Sequence, residues 1–259
     1  MLPQYTEPAH VVSATGHRIY VDPSDGRGAE LVRSAGAFNR GTLAIWDRTL
    51  ELDDWDVVVD VGVNYGEMLL GAQLPPGARL IGFEPNPRVL PHLRRSLDES
   101  GLAVDLHEAA LGAAESEATF AVDTEWSGRS GIAASHRTDA AHDIETFDVP
   151  VRTLDSELSV GESEKVCVKV DVEGAEFDVL AGAQSLRQRA APWAILVEVL
   201  HMDGFEKAYL AEEYTMRALD HRVGELVTIP PVSARRVDEL LSGGWLHGQD
   251  VVLTKRHAP

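Results

Sequence analysis

Short apolar runs alternate with amphipathic stretches through the middle of the chain. The apolar runs that we interpret as strands are Val57–Val61, Arg79–Phe83, Val104–His107, Val166–Val170 and residues 194–199. Helix-like stretches at residues 65–72 and 87–100 separate the first three runs. Near-continuous apolar strands that alternate with helices are typical of a parallel sheet covered on both faces. The pattern therefore predicts a doubly wound α/β domain that begins near residue 52.

Other segments depart from this alternation. Residues 118–122 and 146–151 read as extra strands joined by a glycine- and serine-rich loop at residues 127–135, which predicts an insertion before the fourth strand. The segments predicted after the fifth strand are a helix at 205–220, a strand at Glu225–Ile229, a helix at 232–241 and a last strand at Asp250–Thr254. Such an ending suits an antiparallel pair at the edge of the sheet.

Charge and cysteine content exclude several classes of protein. The chain has 42 acidic and 23 basic residues in 259, a formal net charge of −19. This acidity argues against a nucleic-acid partner or an anionic membrane surface, both of which attract clustered Lys and Arg. The lone cysteine, Cys167, cannot form an intramolecular disulfide. Neither a signal peptide nor a membrane-spanning run is visible in the sequence, so we expect a cytoplasmic protein.

The turn after the first central strand has the form of a ligand-binding loop. Gly62 and Gly66 lie between the strand and the next helix, where glycines allow a tight turn and close approach of a ligand. Asn64 stands where a dinucleotide fingerprint has its second glycine, and Glu67 would compete with phosphate at the helix N-terminus. The loop thus disfavours NAD and favours a ligand without phosphate, the alternative being a purely structural turn.

Two acidic residues accompany this loop. Asp60, near the end of the first strand, is a buried carboxylate that needs donors, such as loop amides or the ammonium group of a ligand. Glu84 ends the second strand, 22 positions after Gly62. This spacing resembles that of the acidic residue that binds ribose hydroxyls about 20 residues on; a solvated loop charge is the alternative. Asn86 and Pro87 suit the N-cap and first residue of the following helix.

Several motifs in order resemble one family of enzymes. They are Asp60-x-Gly62-x-Asn64-x-Gly66, Glu84-Pro85-Asn86-Pro87, Ala110-Leu111-Gly112, Thr153-Leu154-Asp155 and Lys169-Val170-Asp171-Val172-Glu173-Gly174-Ala175-Glu176. Together they resemble the FkbM family of S-adenosylmethionine-dependent methyltransferases, over roughly residues 55–200. The resemblance implies a class I methyltransferase fold, a Rossmann-like doubly wound sheet of seven strands, mostly parallel with an antiparallel last strand.

The resemblance also implies a cofactor and roles for individual residues. The cofactor would be S-adenosyl-L-methionine, and the methyl acceptor would most often be a hydroxyl oxygen. The residues that would line the methionine end of the cofactor are Asp60, Gly62, Asn64 and Gly66. Glu84 would hold the ribose, and Ala109 and Ala110 would lie beside the adenine. Asp171 would end the fourth strand beside the reactive methyl group.

The catalytic candidates lie at the carboxyl ends of the fourth and fifth strands. We assign them as His201, Asp171 and Glu173, with His201 as the base that removes the hydroxyl proton. A polar loop role for His201 and a helix-dipole role for Glu173 are the alternatives, and Glu176 suits the helix dipole. Glu198 could orient His201 or bind the substrate. These groups could also supply ligands to Mg²⁺, but no dedicated spacing requires it and we expect no metal.

The resemblance therefore implies an O-methyltransferase acting on a small molecule or sugar, in natural-product or glycan biosynthesis. We expect residues 53–259 to form the methyltransferase domain and residues 1–52 to form an extension that acts as a lid or a dimer contact. A homodimer is the default for an enzyme of this size. The alternatives are an NAD(P)-dependent oxidoreductase and a non-catalytic module that binds the cofactor.

Overall fold

The computed structural model describes residues 9–133 and 143–256. Parts of the predicted ranges therefore lie outside the described residues, namely 1–8, 134–142 and 257–259. The strands are β1 (His10–Val12), β2 (Arg18–Tyr20), β3 (Val57–Val61), β4 (Arg79–Phe83), β5 (Val104–His107), β6 (Ala110–Leu111), β7 (Ser116–Asp123), β8 (Gly131–Ile132), β9 (Ile144–Arg152), β10 (Val166–Val170), β11 (Trp193–Glu198), β12 (Thr215–Asp220), β13 (Glu225–Ile229) and β14 (Asp250–Thr254). The helices are α1 (Gly26–Arg33), α2 (Arg40–Leu50), α3 (Glu67–Gly71), α4 (Leu90–Ser100), α5 (Leu154–Glu157), α6 (Glu176–Ala181), α7 (Gln184–Gln188), α8 (Gly204–Glu213) and α9 (Ala234–Ser242).

In the described part of the chain, eight strands form one sheet in the order β13-β12-β14-β11-β10-β3-β4-β5. All neighbours from β11 to β5 run parallel, and β14 runs antiparallel between β11 and β12. The strands from β12 to β5 form the sheet that the resemblance implies, with its last strand reversed. This arrangement confirms the predicted fold class, and β13 extends the edge by one further antiparallel strand.

The apolar strands are buried because both faces of the sheet are covered. Every residue of β3 and β10 is buried. Val57 and Val59 contribute to a core on one face, whereas Val58 packs with Trp46 of α2 on the other. Burying a valine or leucine side chain contributes about 1.5–3 kcal/mol, so these central strands supply much of the stability of the domain. They form the rigid base on which the loops at their carboxyl ends are held.

A second sheet confirms the predicted insertion. Among the described residues, β6, β9, β7 and β8 pair in that order, and a single 3-10 turn at Ser127–Arg129 lies between β7 and β8. At the other end of the chain, the β1–β2 hairpin packs beside α4, where the amide of Tyr20 donates to Ser96 Oγ at 2.8 Å.

Two of the predicted helices differ from the structure by about three residues or more at one end. The helix predicted at 205–220 ends at Glu213, because residues 215–220 pair with β13 and β14 as a strand in which Met216 and Ala218 are buried. Regular helix α4 begins at Leu90 rather than at Pro87. Asn86 Oδ1 instead accepts from the amide of Arg88 at 3.0 Å and forms a turn before the helix. Among the residues that the structure describes, none of the helices combines the length and the apolar composition that a membrane span needs.

Candidate active site

A cleft of about 590 Å³, open solvent included, lies at the carboxyl ends of β3, β4 and β10 and is bordered by the inserted sheet. The predicted site residues that line it are Gly62, Asn64, Glu84, Ala109, Ala110, Asp171 and Glu173. Asp60, Gly66 and His201 lie outside its lining. Asp60 lies beneath the cleft in β3, Gly66 caps α3, and His201 contacts Glu173 at the rim. The structure thus brings most of the predicted residues together in one cavity.

The glycine loop has a backbone that only some residues can adopt. Gly62 has φ +84°, and a Cβ atom there would overlap the carbonyl oxygen of Asp171. Asn64 is also left-handed at φ +51°, a conformation that Asn tolerates better than most residues. Because Gly62 has no side chain, the loop after β3 packs directly on the turn after β10. This close contact positions two walls of the cleft against each other.

Glu84 connects the glycine loop to the end of β4 through hydrogen bonds. It is 4% exposed, and its two oxygens accept hydrogen bonds from the amides of Asn64 at 2.7 Å and Asn86 at 2.8 Å. Burial raises the pKa of Glu84 to about 7, although these two amides oppose the shift. Each carboxylate oxygen has a second lone pair, so Glu84 can still accept a hydrogen bond from a hydroxyl group in the cleft.

A buried lysine connects the two acidic strand ends. Lys169 is 2% exposed, and its Nζ lies 3.3 Å from both Asp60 Oδ1 and Asp171 Oδ2. Burial raises the pKa of Asp60 to about 6, partly offset by Lys169. Burial would also raise the pKa of Asp171, but Lys169 and then Arg27 outweigh it and lower that pKa. The charged partner of Asp60 is therefore Lys169, a side chain to which the sequence analysis gave no such role.

His201, Glu173 and Glu198 form a cluster where β10 and β11 end. His201 Nε2 lies 3.0 Å from Glu173 Oε2 and 3.8 Å from Glu198 Oε2. The hydrogen bond with Glu173 raises the pKa of His201. Burial, followed by the charges of Asp171 and Glu173, raises the pKa of Glu198 to about 10. One ligand atom from each cluster member lies within 4.8 Å of the others, so the cluster could also hold a divalent cation.

Glu176 has the structural role expected of it. Its Oε1 accepts from the amide of Gly174 at 3.0 Å, at the start of α6. Glu173, by contrast, has φ +55°, a conformation that costs free energy for a residue other than Gly and that clusters at functional sites. Glu173 therefore points to the cleft and to His201 rather than capping the helix.

Sequence reasoning missed the contribution of residues 25–27. Arg27 lines the cleft and pairs with Glu67, from Nη2 to Oε1 at 2.6 Å. Asp25 accepts from Tyr65 Oη at 2.8 Å and from the amide of Ser127 at 2.7 Å. These bonds join residues far apart in sequence, so no local pattern indicates them. The feature of the sequence that could have indicated the contact with Arg27 is Glu67, because a carboxylate that becomes buried requires a partner.

The family to which the chain belongs follows from a match that spans this site. The methyltransferase FkbM domain matches residues 60–241, which include the glycine loop, Glu84, the acidic turn and His201. The chain belongs to the FkbM methyltransferase family. The match begins after Arg27, so α1 and the N-terminal hairpin lie outside the part that matches this domain.

The chain also has sequence similarity to an individual methyltransferase. The chain is 29% identical over 146 residues to Methyltransferase 1 of Beauveria bassiana (strain ARSEF 2860), an alignment that covers 50% of this chain and 59% of that relative. This alignment therefore spans less than two thirds of that relative's length.

Two solved structures also align with the chain. Precorrin-6Y C5,15-methyltransferase from Geobacter metallireducens GS-15 aligns at TM-score 0.41 and 13% identity, covering 83% of this chain and 87% of that chain. The O-methyltransferase TomG from Streptomyces achromogenes, solved with S-adenosylmethionine, aligns at TM-score 0.40 and 14% identity, covering 93% and 92%. The fold class of the chain follows from its own strand order.

Proposed function

We propose that the protein transfers a methyl group from S-adenosylmethionine to a hydroxyl oxygen of a small molecule or sugar, in natural-product or glycan biosynthesis. The observation that carries the proposal is the His201–Glu173 pair, which adjoins the cleft beside Asp171. An imidazole held by a carboxylate is a suitable general base for a hydroxyl group. Membership of a methyltransferase family supplies the reaction class.

The side chains that line the cleft suit the chemistry of the cofactor. Glu84 offers carboxylate oxygens for hydroxyl groups, and Ala109 and Ala110 offer a small apolar surface suited to an adenine ring. When bound, the cofactor would supply an electrophilic methyl group that needs no further activation.

The residues of this chain would then align the acceptor and remove its proton. If Nε2 of His201 donates to Glu173, Nδ1 is free to accept the hydroxyl proton. Glu173 holds the ring in that tautomer and stabilises the imidazolium that forms. Asp171 adds negative charge nearby, which also favours the protonated ring after transfer. Positioning and proton removal together account for the chemistry that such a transfer requires.

An acceptor screen tests this function. Purified protein would be incubated with S-adenosylmethionine and a panel of alcohols, phenols and sugars, with S-adenosylhomocysteine release as the readout. We expect turnover of at least one hydroxyl acceptor, reduced about 10²–10⁴-fold in His201→Asn. The proposal would be contradicted by turnover only of amine or carbon acceptors. Tight cofactor binding without turnover of any acceptor would favour a non-catalytic module instead.

A further inference from the structure

Arg27 carries a positive charge into an otherwise acidic cleft. It belongs to α1, outside the stretch that matches the FkbM domain, and it is 9% exposed. Of the described residues that line the cleft, Arg27 alone is a cation, whereas Glu84, Asp171 and Glu173 are acids. A guanidinium is costly to bury without charged partners. The balance of charges therefore makes Arg27 the natural partner for an anionic group of a ligand.

The ion pair with Glu67 uses only part of this guanidinium. Nε and Nη2 of Arg27 both contact the same oxygen, Glu67 Oε1, at 2.8 and 2.6 Å. A guanidinium has five N–H donors in a planar fork, so donors remain for a second anion. The Nη1 edge lies against Gly128, where a Cβ atom would overlap it. Gly128 also lines the cleft, so this glycine leaves room for Arg27 beside it.

The position of Arg27 is fixed by its neighbour Asp25. Asp25 accepts from Tyr65 Oη in the glycine loop, and from the amide and the hydroxyl of Ser127, each at 2.7–2.8 Å. It also caps α1 through the amide of Gly28 at 3.2 Å. Four donors thus hold one carboxylate, and through it the start of α1 is attached to both walls of the cleft. A cation held in this way is pre-organised for a ligand.

Building on the proposed function, we propose that Arg27 binds the carboxylate of the methionine end of S-adenosylmethionine. Arg27 is close to Asp171, since its charge helps to lower the pKa of that carboxyl group. This is the end of the cleft formed by Gly62, Asn64 and Asp171 rather than the end formed by Ala109 and Ala110. A carboxylate and a guanidinium can pair through two parallel hydrogen bonds, which gives both affinity and orientation.

The direct test deletes only the carboxylate from the ligand. Calorimetric titrations would compare S-adenosylmethionine with decarboxylated S-adenosylmethionine on the wild-type protein. Hydrogen bonds to a charged group predict binding of the intact cofactor that is tighter by roughly 10- to 100-fold. Equal affinities for the two ligands would overturn the proposal without any protein variant. Failure of both ligands to bind folded protein would overturn the proposed function as well.

Protein variants assign the effect to Arg27. The double variant Arg27→Met/Glu67→Met removes both buried charges, so that neither is left unpaired. We expect the dissociation constants of this variant for S-adenosylmethionine and for decarboxylated S-adenosylmethionine to differ by less than about twofold. A general weakening of the fold would weaken the binding of both ligands and would not remove the difference between them. Arg27→Lys should retain part of the preference. Arg129→Met is the matched control, because Arg129 follows Gly128 in the turn that packs against Arg27, but it pairs with Asp123 at 2.9 Å and is 45% exposed.

The remaining outcomes are also decisive. A double variant that keeps the full preference for the intact cofactor would show that another group binds the carboxylate. The guanidinium could instead bind an anionic group of the acceptor. In that case the cofactor preference would remain while the KM for the acceptor found in the screen would rise in Arg27→Lys. Either result would overturn the assignment of Arg27 to the cofactor.

Discussion

Two halves of the cleft differ in how the chain builds them. The contiguous half, formed by Gly62, Asn64, Glu84, Ala109 and Ala110, comes from successive strands and their loops. Its key hydrogen bond, from the Asn64 amide to Glu84, joins residues 20 positions apart. The assembled half instead combines distant segments through Asp25, Arg27, Ser127, Glu173 and His201. Local sequence therefore encodes one half, whereas the other exists only in the folded chain.

Lys169 lies beneath both halves, so its removal should have the largest effect. In Lys169→Met, Asp60 and Asp171 would lose the cation that lies 3.3 Å from each of them. Breaking a buried ion pair costs about 3–5 kcal/mol of unfolding free energy. Urea unfolding followed by circular dichroism would measure this loss.

Lys165→Met is the matched control for that variant. Lys165 directly precedes β10, is partly exposed and pairs with Asp53 at 2.7 Å. A pair of this kind contributes about 0–1 kcal/mol. If the two lysine variants were equally stable, Lys169 would not hold the halves together.

Gly62→Ala should strongly disturb the contact between the halves. The substitution adds a methyl group to a residue with φ +84° and forces it against the Asp171 carbonyl. Backbone strain and overpacking together predict a loss of about 2–4 kcal/mol, with weaker cofactor binding. Thermal and urea unfolding, together with cofactor titration, would measure both effects.

Gly77→Ala separates the effect of backbone strain from that of overpacking, because Gly77 has φ +82° but open space around its Cα. Its cost should be about 1–2 kcal/mol, from the backbone conformation alone. A Gly77 variant as unstable as the Gly62 variant would mean that the contact with Asp171 contributes nothing.

Glu173→Gln tests the chemistry of the assembled half. Because the hydrogen bond with Glu173 is the leading cause of the raised pKa of His201, the substitution should bring that pKa back toward 6.5. NMR titration of the ring protons, assigned with His201→Asn, would follow the change without an acceptor. The base must be neutral, so wild-type turnover should rise with pH through the raised pKa, and the variant should reach its plateau at lower pH.

The raised pKa of His201 also affects the stability of the folded state. A histidine whose pKa is raised by folding stabilises the folded state below the unfolded pKa, and this contribution is lost as the pH rises through the folded pKa. The effect here is small, because His201 is partly exposed. An unchanged His201 pKa in Glu173→Gln would show that the pair does not function as a unit.

Glu198→Gln should have the smallest effect. Since the pKa of Glu198 is raised to about 10, this residue is protonated at pH 7, and glutamine is then nearly isosteric and equally neutral. The free energy of unfolding should change by less than about 1 kcal/mol. Turnover should likewise be insensitive to EDTA. A large loss of stability in Glu198→Gln, or a large loss of turnover in EDTA, would indicate an ionised Glu198 and a cation bound between Glu173, Glu198 and His201.

The contiguous and the assembled half also differ in how much of each could be predicted from the sequence. Buried runs such as Val57–Val61 and Val166–Val170 carry their own pattern, so the strands and the parallel sheet were predicted correctly. The strand Thr215–Asp220 was mistaken for helix, because its pairing with β14 overrides a weak local signal. The bond from Asp25 to Ser127 joins residues 102 positions apart, and such contacts leave no periodic trace.

Binding of S-adenosylmethionine by the contiguous half should depend on Glu84. Calorimetric titration with S-adenosylhomocysteine, with NAD and NADP as controls, tests this dependence most directly when it is repeated on Glu84→Ala. We expect micromolar binding to the wild-type protein, weakened by roughly 10- to 100-fold in the variant, and no binding of either nicotinamide. Binding of a nicotinamide, or no binding of S-adenosylhomocysteine to folded protein, would contradict it.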